Sequence, residues 1–192
     1  MSPDLSTLPQ GQSVPLSRNR NYQLLWISQV LSGVGLSASV IAFPLLVLAL
    51  TDSAAASGLV LGAIATAQLL AGLPAGALVD RWDRKTIMLV CEATQVIAAA
   101  SLVAALWWDV AQVAHLVVVA AVMGVCGALF RPAEDACLPR VVLAEQVSTA
   151  VALNAARASV AQLSGTAAGG FLFAIARFVP FVVDALAHAV AC

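Results

Sequence analysis

Charge is what this sequence has least of. Only 10% of its 192 residues are Asp, Glu, Lys or Arg, against about 25% in an ordinary soluble domain. A chain this poor in charge has no basic surface for nucleic acid, so that function class is excluded. The four cysteines, Cys91, Cys126, Cys137 and Cys192, show neither CxxC nor metal-ligand spacing. They read as small packing residues of apolar helices. No phosphate-cradling glycine loop and no nucleophile with its base occurs, so nothing supports an enzyme, a metal site or a cofactor. Residues 1–22 hold Pro3, Pro9 and Pro15 and no apolar core, unlike a cleavable leader. They read as a disordered cytoplasmic tail.

What is present is apolar length. The chain is 61% hydrophobic with a mean hydropathy of +0.96, well above the roughly 45–50% of soluble proteins. It therefore reads as an all-α integral membrane protein. Apolar runs place spans at about 24–50, 57–79, 86–106, 113–130, 150–175 and 180–192. The last is short of the roughly 20 residues a crossing needs. Residues 23–192 thus form one six-helix transmembrane bundle with a truncated sixth helix. Arg131-Pro132 is expected to stop the fourth span, leaving Glu134, Asp135, Arg140 and Glu145 in a cytoplasmic segment.

The densest charge cluster, Gly76 to Lys85, lies between the second and third spans. It reads as a tight hairpin in which Gly76 removes bulk between helix ends and Asp83 caps the third helix. Asp80 would meet the negative end of the helix dipole and needs a donor nearby. With the N-terminus inside, Arg18, Arg20, Arg81, Arg84, Lys85, Arg131 and Arg140 face the cytoplasm and only Arg177 faces out. The reverse orientation would invert that split, so the positive-inside rule selects the first. Trp107-Trp108 reads as an outer interfacial anchor, and His115 as an interfacial bystander.

Small residues suggest where helices approach. Ser28, Ser32, Gly35 and Ser39 recur at helical spacing on the first span. Gly58/Gly62 and Gly72/Gly76 give two GxxxG spacings on the second, and Gly165, Gly169 and Gly170 lie on the fifth. All are candidates for helix packing.

Polar residues inside the spans are candidates for mechanism. Glu92 and Gln95 share a face of the third helix, Asn154 and Arg157 of the fifth, and Asp184 and His188 of the sixth. An ionisable group at mid-bilayer costs about 2.5–3.5 kcal/mol on insertion scales, so it faces a cavity or a partner. Two readings stand for Glu92 and Arg157: a place inside the bundle, or snorkelling to the cytoplasmic interface. Two also stand for Asp184 and His188: a proton-responsive pair, or a structural polar contact near the outer surface.

The hairpin Gly76, Asp80-Arg81, Arg84-Lys85 resembles the signature loop after the second helix of major facilitator superfamily transporters. The variant Asp80-Arg81-Trp82-Asp83-Arg84 resembles the branch of enterobactin exporters and macrolide-efflux permeases. Arg20-Asn21-Tyr22, Leu50-Thr51-Asp52-Ser53 and Pro132-Ala133 … Leu138-Pro139-Arg140-Val141-Val142 point the same way. The resemblance covers about residues 18–192 and departs in two places. Asp83 stands where the loop usually has glycine, and Gly165-Thr166-Ala167-Ala168-Gly169-Gly170 lacks the proline of the antiporter signature.

The resemblance implies a proton-driven exporter of a small organic molecule, of drug or siderophore class, built from two six-helix halves rocking about a central cavity. It makes Gly76, Asp80, Arg81, Asp83, Arg84 and Lys85 a cytoplasmic gating loop, with Asp80 latching the halves. This chain corresponds to the N-terminal half alone. The expectation is a half-length piece, unable to transport by itself, in a bacterial cytoplasmic membrane. Its implied partners are the lipid bilayer, a small-molecule substrate, and a second half or second copy. The alternatives are a half-transporter that pairs with another chain, and a non-transporting scaffold or regulatory subunit.

Overall fold

A computed structural model describes residues 20–142 and 144–191. The tail expected over residues 1–22 therefore falls outside the described residues, except at its end, where the first helix already begins. The elements are α1 (Arg20–Thr51), α2 (Ala54–Arg81), α3 (Arg84–Trp107), α4 (Val113–Val141), a 3-10 turn (Ala144–Gln146), α5 (Val147–Ile175) and α6 (Val179–Ala191). Among the described residues there is no strand. The architecture is that expected of an N-terminal major-facilitator bundle.

Five of the helices are long and apolar enough to cross a membrane. The shortest of them, α3, has 24 residues, about 36 Å at 1.5 Å per residue, against roughly 30 Å of hydrocarbon. The 13 residues of α6 reach only about 20 Å. Side chains such as Leu69, Leu73, Ile97, Val118, Leu163 and Phe171 are exposed on the outside of the bundle. That is a lipid-facing surface, the inverse of a soluble domain's polar coat.

Local chemistry sets the ends. The Ser53 side chain accepts from Ala56 N at 3.2 Å, and Asp83 accepts from both Thr86 N and Thr86 Oγ1 at 2.9 Å. The cap expected of Asp83 is therefore made. Asp52 and Asp109 take left-handed backbone (φ 53° and 56°) just past α1 and α3, a conformation that short polar side chains tolerate. After α3 the N–H of Val110 returns to the carbonyl of Ala105 at 2.9 Å, closing the helix end in Schellman fashion.

One boundary departs from expectation. Arg131-Pro132 does not stop α4, which continues to Val141. A proline removes one backbone bond and strains the turn before it. Two cross-helix ties hold the extension: Glu134 pairs with Arg157 of α5, and Arg84 Nη1 of α3 donates to the carbonyl of Ala136 at 2.9 Å. Glu134 and Asp135 are thus helical residues and not part of a loop.

Within the bundle α2 packs chiefly on α4, α1 on α5 and α6, and α3 on α4 and α6. The largest apolar cluster gathers Phe43, Leu46, Val60, Leu102, Leu116, Met123 and Phe181, with Phe43 and Phe181 edge-to-face at 5.1 Å. A smaller cluster around Val79, Ile87, Cys91, Cys126 and Phe130 closes the end that carries the charged hairpin. Along α3, Glu92 and Gln95 fall between these two clusters.

Glycine decides the closest approaches, but only at some of the expected positions. A methyl group on Gly165 would come within 2.6 Å of Ser37 Cβ and the Val34 carbonyl, and one on Gly169 within 2.6 Å of the Ala38 carbonyl. These seat α5 on α1. Gly124 seats α4 on α2, 2.5 Å from the Ile64 carbonyl by the same measure. At Gly58, Gly62, Gly72, Gly76 and Gly170 an added methyl would meet nothing within 4 Å among the described residues. The expected packing role is thus corrected only for helix contacts inside this chain: in an alanine-rich helix the GxxxG spacing marks small faces without saying which face has a neighbour. Only 6% of the apolar window of α2 is buried, against 44% for α4.

Candidate functional site

A cleft of ≈ 440 Å³ opens among all six helices, within the range of small-molecule sites. Helical periodicity builds it. Gln29, Ser32, Leu36 and Val40 form one stripe of α1, while Gly127, Phe130, Arg131 and Glu134 form one stripe of α4. Glu92 and Gln95 enter from α3, Arg157 and Gln162 from α5, Gln68 from α2 and His188 from α6. Leu36, Val40, Ile41 and Phe130 supply its apolar wall.

Two charged clusters stand on this cleft. In the first, Nδ1 of His188 lies 2.5 Å from Oε2 of Glu92, and Ser32 Oγ donates to Oε1 of the same carboxylate at a long 3.4 Å. Nε2 of His188 is 3.3 Å from Oδ1 of Asp184. That contact has ion-pair distance without hydrogen-bond geometry, since neither atom has a hydrogen-bond partner among the described residues. Glu92, Asp184 and His188 are all buried. Asp184 also packs against α1 at Gly35, where an added methyl would sit 3.0 Å from its Cα.

Gly35 is near the middle of α1, so Asp184 packs against the middle of that helix. Asp184 and His188 are both buried inside the bundle, Asp184 against α1 and His188 against α3. The cleft joins Glu92 and His188, so the i, i+4 pair of α6 is part of a trio with α3.

In the second cluster Arg157 Nη2 lies 2.8 Å from Glu134 Oε1, with side-chain exposures of 8% and 7%. Asn154 Nδ2 donates to the same oxygen at 3.4 Å. Nη1 of Arg157 has no partner among the described residues. Asn154 and Arg157 do share a face of α5, and that face meets α4. Removing two such charges from water is offset only when their geometry and hydrogen bonds are good. Snorkelling is therefore not the arrangement adopted by either Glu92 or Arg157.

The hairpin residues are elsewhere. Asp80, Arg81 and Lys85 are exposed, and Asp83 and Arg84 make the cap and the α4 tie described above. The donor that Asp80 calls for at its helix end is not found among the described residues. His115, expected to be idle, lies 3.1 Å from Ser101 Oγ through Nε2. Among the described residues no group of His, Cys, Asp and Glu is placed to hold a metal ion.

Sequence reasoning missed Glu134, Arg131, Gln29 and Gln68 as cleft residues. For α4 the signal was present: positions 127, 130, 131 and 134 follow the i, i+3, i+4, i+7 pattern of one helical face. Treating Pro132 as a stop hid it.

Comparison with curated proteins finds no match. Comparison with protein families matches residues 11–191 to the major facilitator family described as transmembrane secretion effector. That match runs over nearly the whole length of the chain that forms the bundle and its cleft, and on it the protein belongs to the transmembrane secretion effector family of the major facilitator superfamily.

Proposed function

We propose that the protein acts in the export of a small organic compound, the cleft forming one half of the substrate path and the Glu92–His188–Asp184 trio carrying the coupling proton. The observation that carries this reading is the cleft itself. A bundle whose outer faces are apolar places two buried charged clusters around ≈ 440 Å³ of space. Ionisable groups are costly in a membrane and are retained where they serve a path or a relay. Histidine exchanges protons near neutral pH, and here it connects α6 to α3.

The reading includes a bacterial cytoplasmic membrane with the N-terminus inside, which the seven basic residues on one side of the spans support. It also includes a second six-helix half as partner. The unfilled small faces of α2, at Gly58, Gly62, Gly72 and Gly76, and the exposed Asp80 suit such a contact. A substrate of drug or siderophore class fits the mixed polar and apolar walls.

Everted membrane vesicles with an acid interior, prepared with and without the protein, test the reading against a panel of amphipathic compounds. Accumulation that depends on the protein and collapses with a protonophore is expected. Identical vesicles across the panel would remove export. If deletion instead changed the activity of a neighbouring membrane protein, a regulatory subunit would take its place.

A further inference from the structure

The donors and acceptors on the cleft wall are unequal, and the inequality bears on what the cleft holds. The two carboxylates that line it are already engaged, and among the described residues the acceptor left without a donor on the wall is the neutral Oε1 of Gln95. Glu92 has His188 and Ser32, and Glu134 has Arg157 and Asn154. The guanidiniums are in surplus. Arg157 spends one terminal nitrogen on Glu134 and leaves Nη1 without an acceptor, although its side chain is only 8% exposed. Arg131 stands one helical turn before Glu134 on the same wall, feels that carboxylate's field and makes no ion pair within 4.0 Å among the described residues. A buried donor without an acceptor is a standing cost that a ligand can relieve. A guanidinium suits a planar, two-oxygen anion best.

From this we infer that the cleft binds amphipathic organic carboxylates, the carboxylate at Arg157 and Arg131 and the apolar body against Leu36, Val40 and Phe130. The inference deepens the export reading and rests on it for its physiological meaning, but the binding it claims stands by itself. A cationic ligand has the opposite difficulty. It would have to draw Glu134 or Glu92 from donors already in place, leaving Arg157 or His188 buried and unpaired. The carboxylates nearest the site are Glu134 and the exposed Asp135 of α4; Glu92 and His188 also line the cleft, and Asp184 is buried behind His188.

Two fluorophores of like shape and opposite charge make the test: dansylglycine, a carboxylate, and monodansylcadaverine, an amine. Each is titrated against the full chain in lipid nanodiscs, with empty nanodiscs subtracted. Saturable binding of dansylglycine and none of the amine is expected. Arg131→Gln, on an exposed side chain that the fold does not need, should weaken dansylglycine by about tenfold, the scale of one charge-assisted hydrogen bond. Glu134→Gln keeps a carbonyl acceptor for Arg157 but removes the competing charge, and should tighten it by about fivefold. A purely structural Glu134–Arg157 pair gives no such gain.

Preference for the amine, or dansylglycine binding unmoved by both substitutions, overturns the inference. Vesicle accumulation of amines but not carboxylates, together with no saturable binding of dansylglycine, overturns it too and leaves export standing. Charge-selective binding without accumulation of any compound keeps the site and removes export.

Discussion

Nδ1 of His188 lies 2.5 Å from Oε2 of Glu92, across 96 residues of chain. This contact fastens α6, the shortest helix, to α3. Asp184 completes the locus from the same face of α6.

The pair should be coupled energetically. In a double-mutant cycle on Glu92→Gln and His188→Asn, the double variant is expected to be less destabilised than the sum of the singles. The interaction should be about 0.5–2 kcal/mol, as for contacting polar groups in folded and membrane proteins. Thermal unfolding in detergent measures it. Strict additivity would mean that the two side chains do not meet.

Glu134→Leu should be far more damaging than Glu134→Gln. The leucine leaves the Arg157 guanidinium buried without a partner, a change of about 3–5 kcal/mol when one member of a buried pair is removed. The glutamine retains an oxygen at hydrogen-bond distance. Glu134→Leu combined with Arg157→Leu should recover most of the loss. Yield of folded, monodisperse protein and its unfolding temperature report the order of the three variants.

Gly169→Ala should destabilise the bundle by about 1–3 kcal/mol, the usual effect of forcing extra volume into a packed contact, because the methyl would meet the Ala38 backbone at 2.6 Å. Gly62→Ala, open on all sides within 4 Å, should be neutral or slightly stabilising in the isolated chain through helix propensity. Thermal unfolding of both variants in the same detergent checks the contrast. Equal losses would contradict the seating of α5 on α1.

Asp83→Ala should lower stability by about 1 kcal/mol through loss of the α3 cap, since both Thr86 N and Thr86 Oγ1 donate to it. Asp83→Asn should retain most of it. Hydrogen exchange of the first turn of α3, at residues 84–87, should rise in the alanine variant and leave the middle of the helix unchanged.

Much of this protein could be read from one dimension. A membrane helix has to satisfy its backbone within its own segment, so apolar length and charged punctuation locate the crossings directly. The cap at Asp83 and the shared faces Glu92/Gln95 and Asn154/Arg157 are likewise local, because they depend on spacing along a single helix. Pro132 misled for a related reason: a local preference against helix was outweighed by bonds from α3 and α5 that no window of sequence contains.

The amino-acid order alone determined that this chain is a set of lipid-embedded helices, where they begin, and which side chains are too polar to face lipid. It could not say which of those side chains meet, since in a bilayer every apolar face is equally content and hydrophobicity gives no direction between helices. Tertiary packing made that choice. The seating of Gly165 and Gly169 on α1 and of Gly35 on α6 set helix separations, and those separations brought Glu92 to His188 and Glu134 to Arg157 around one cleft.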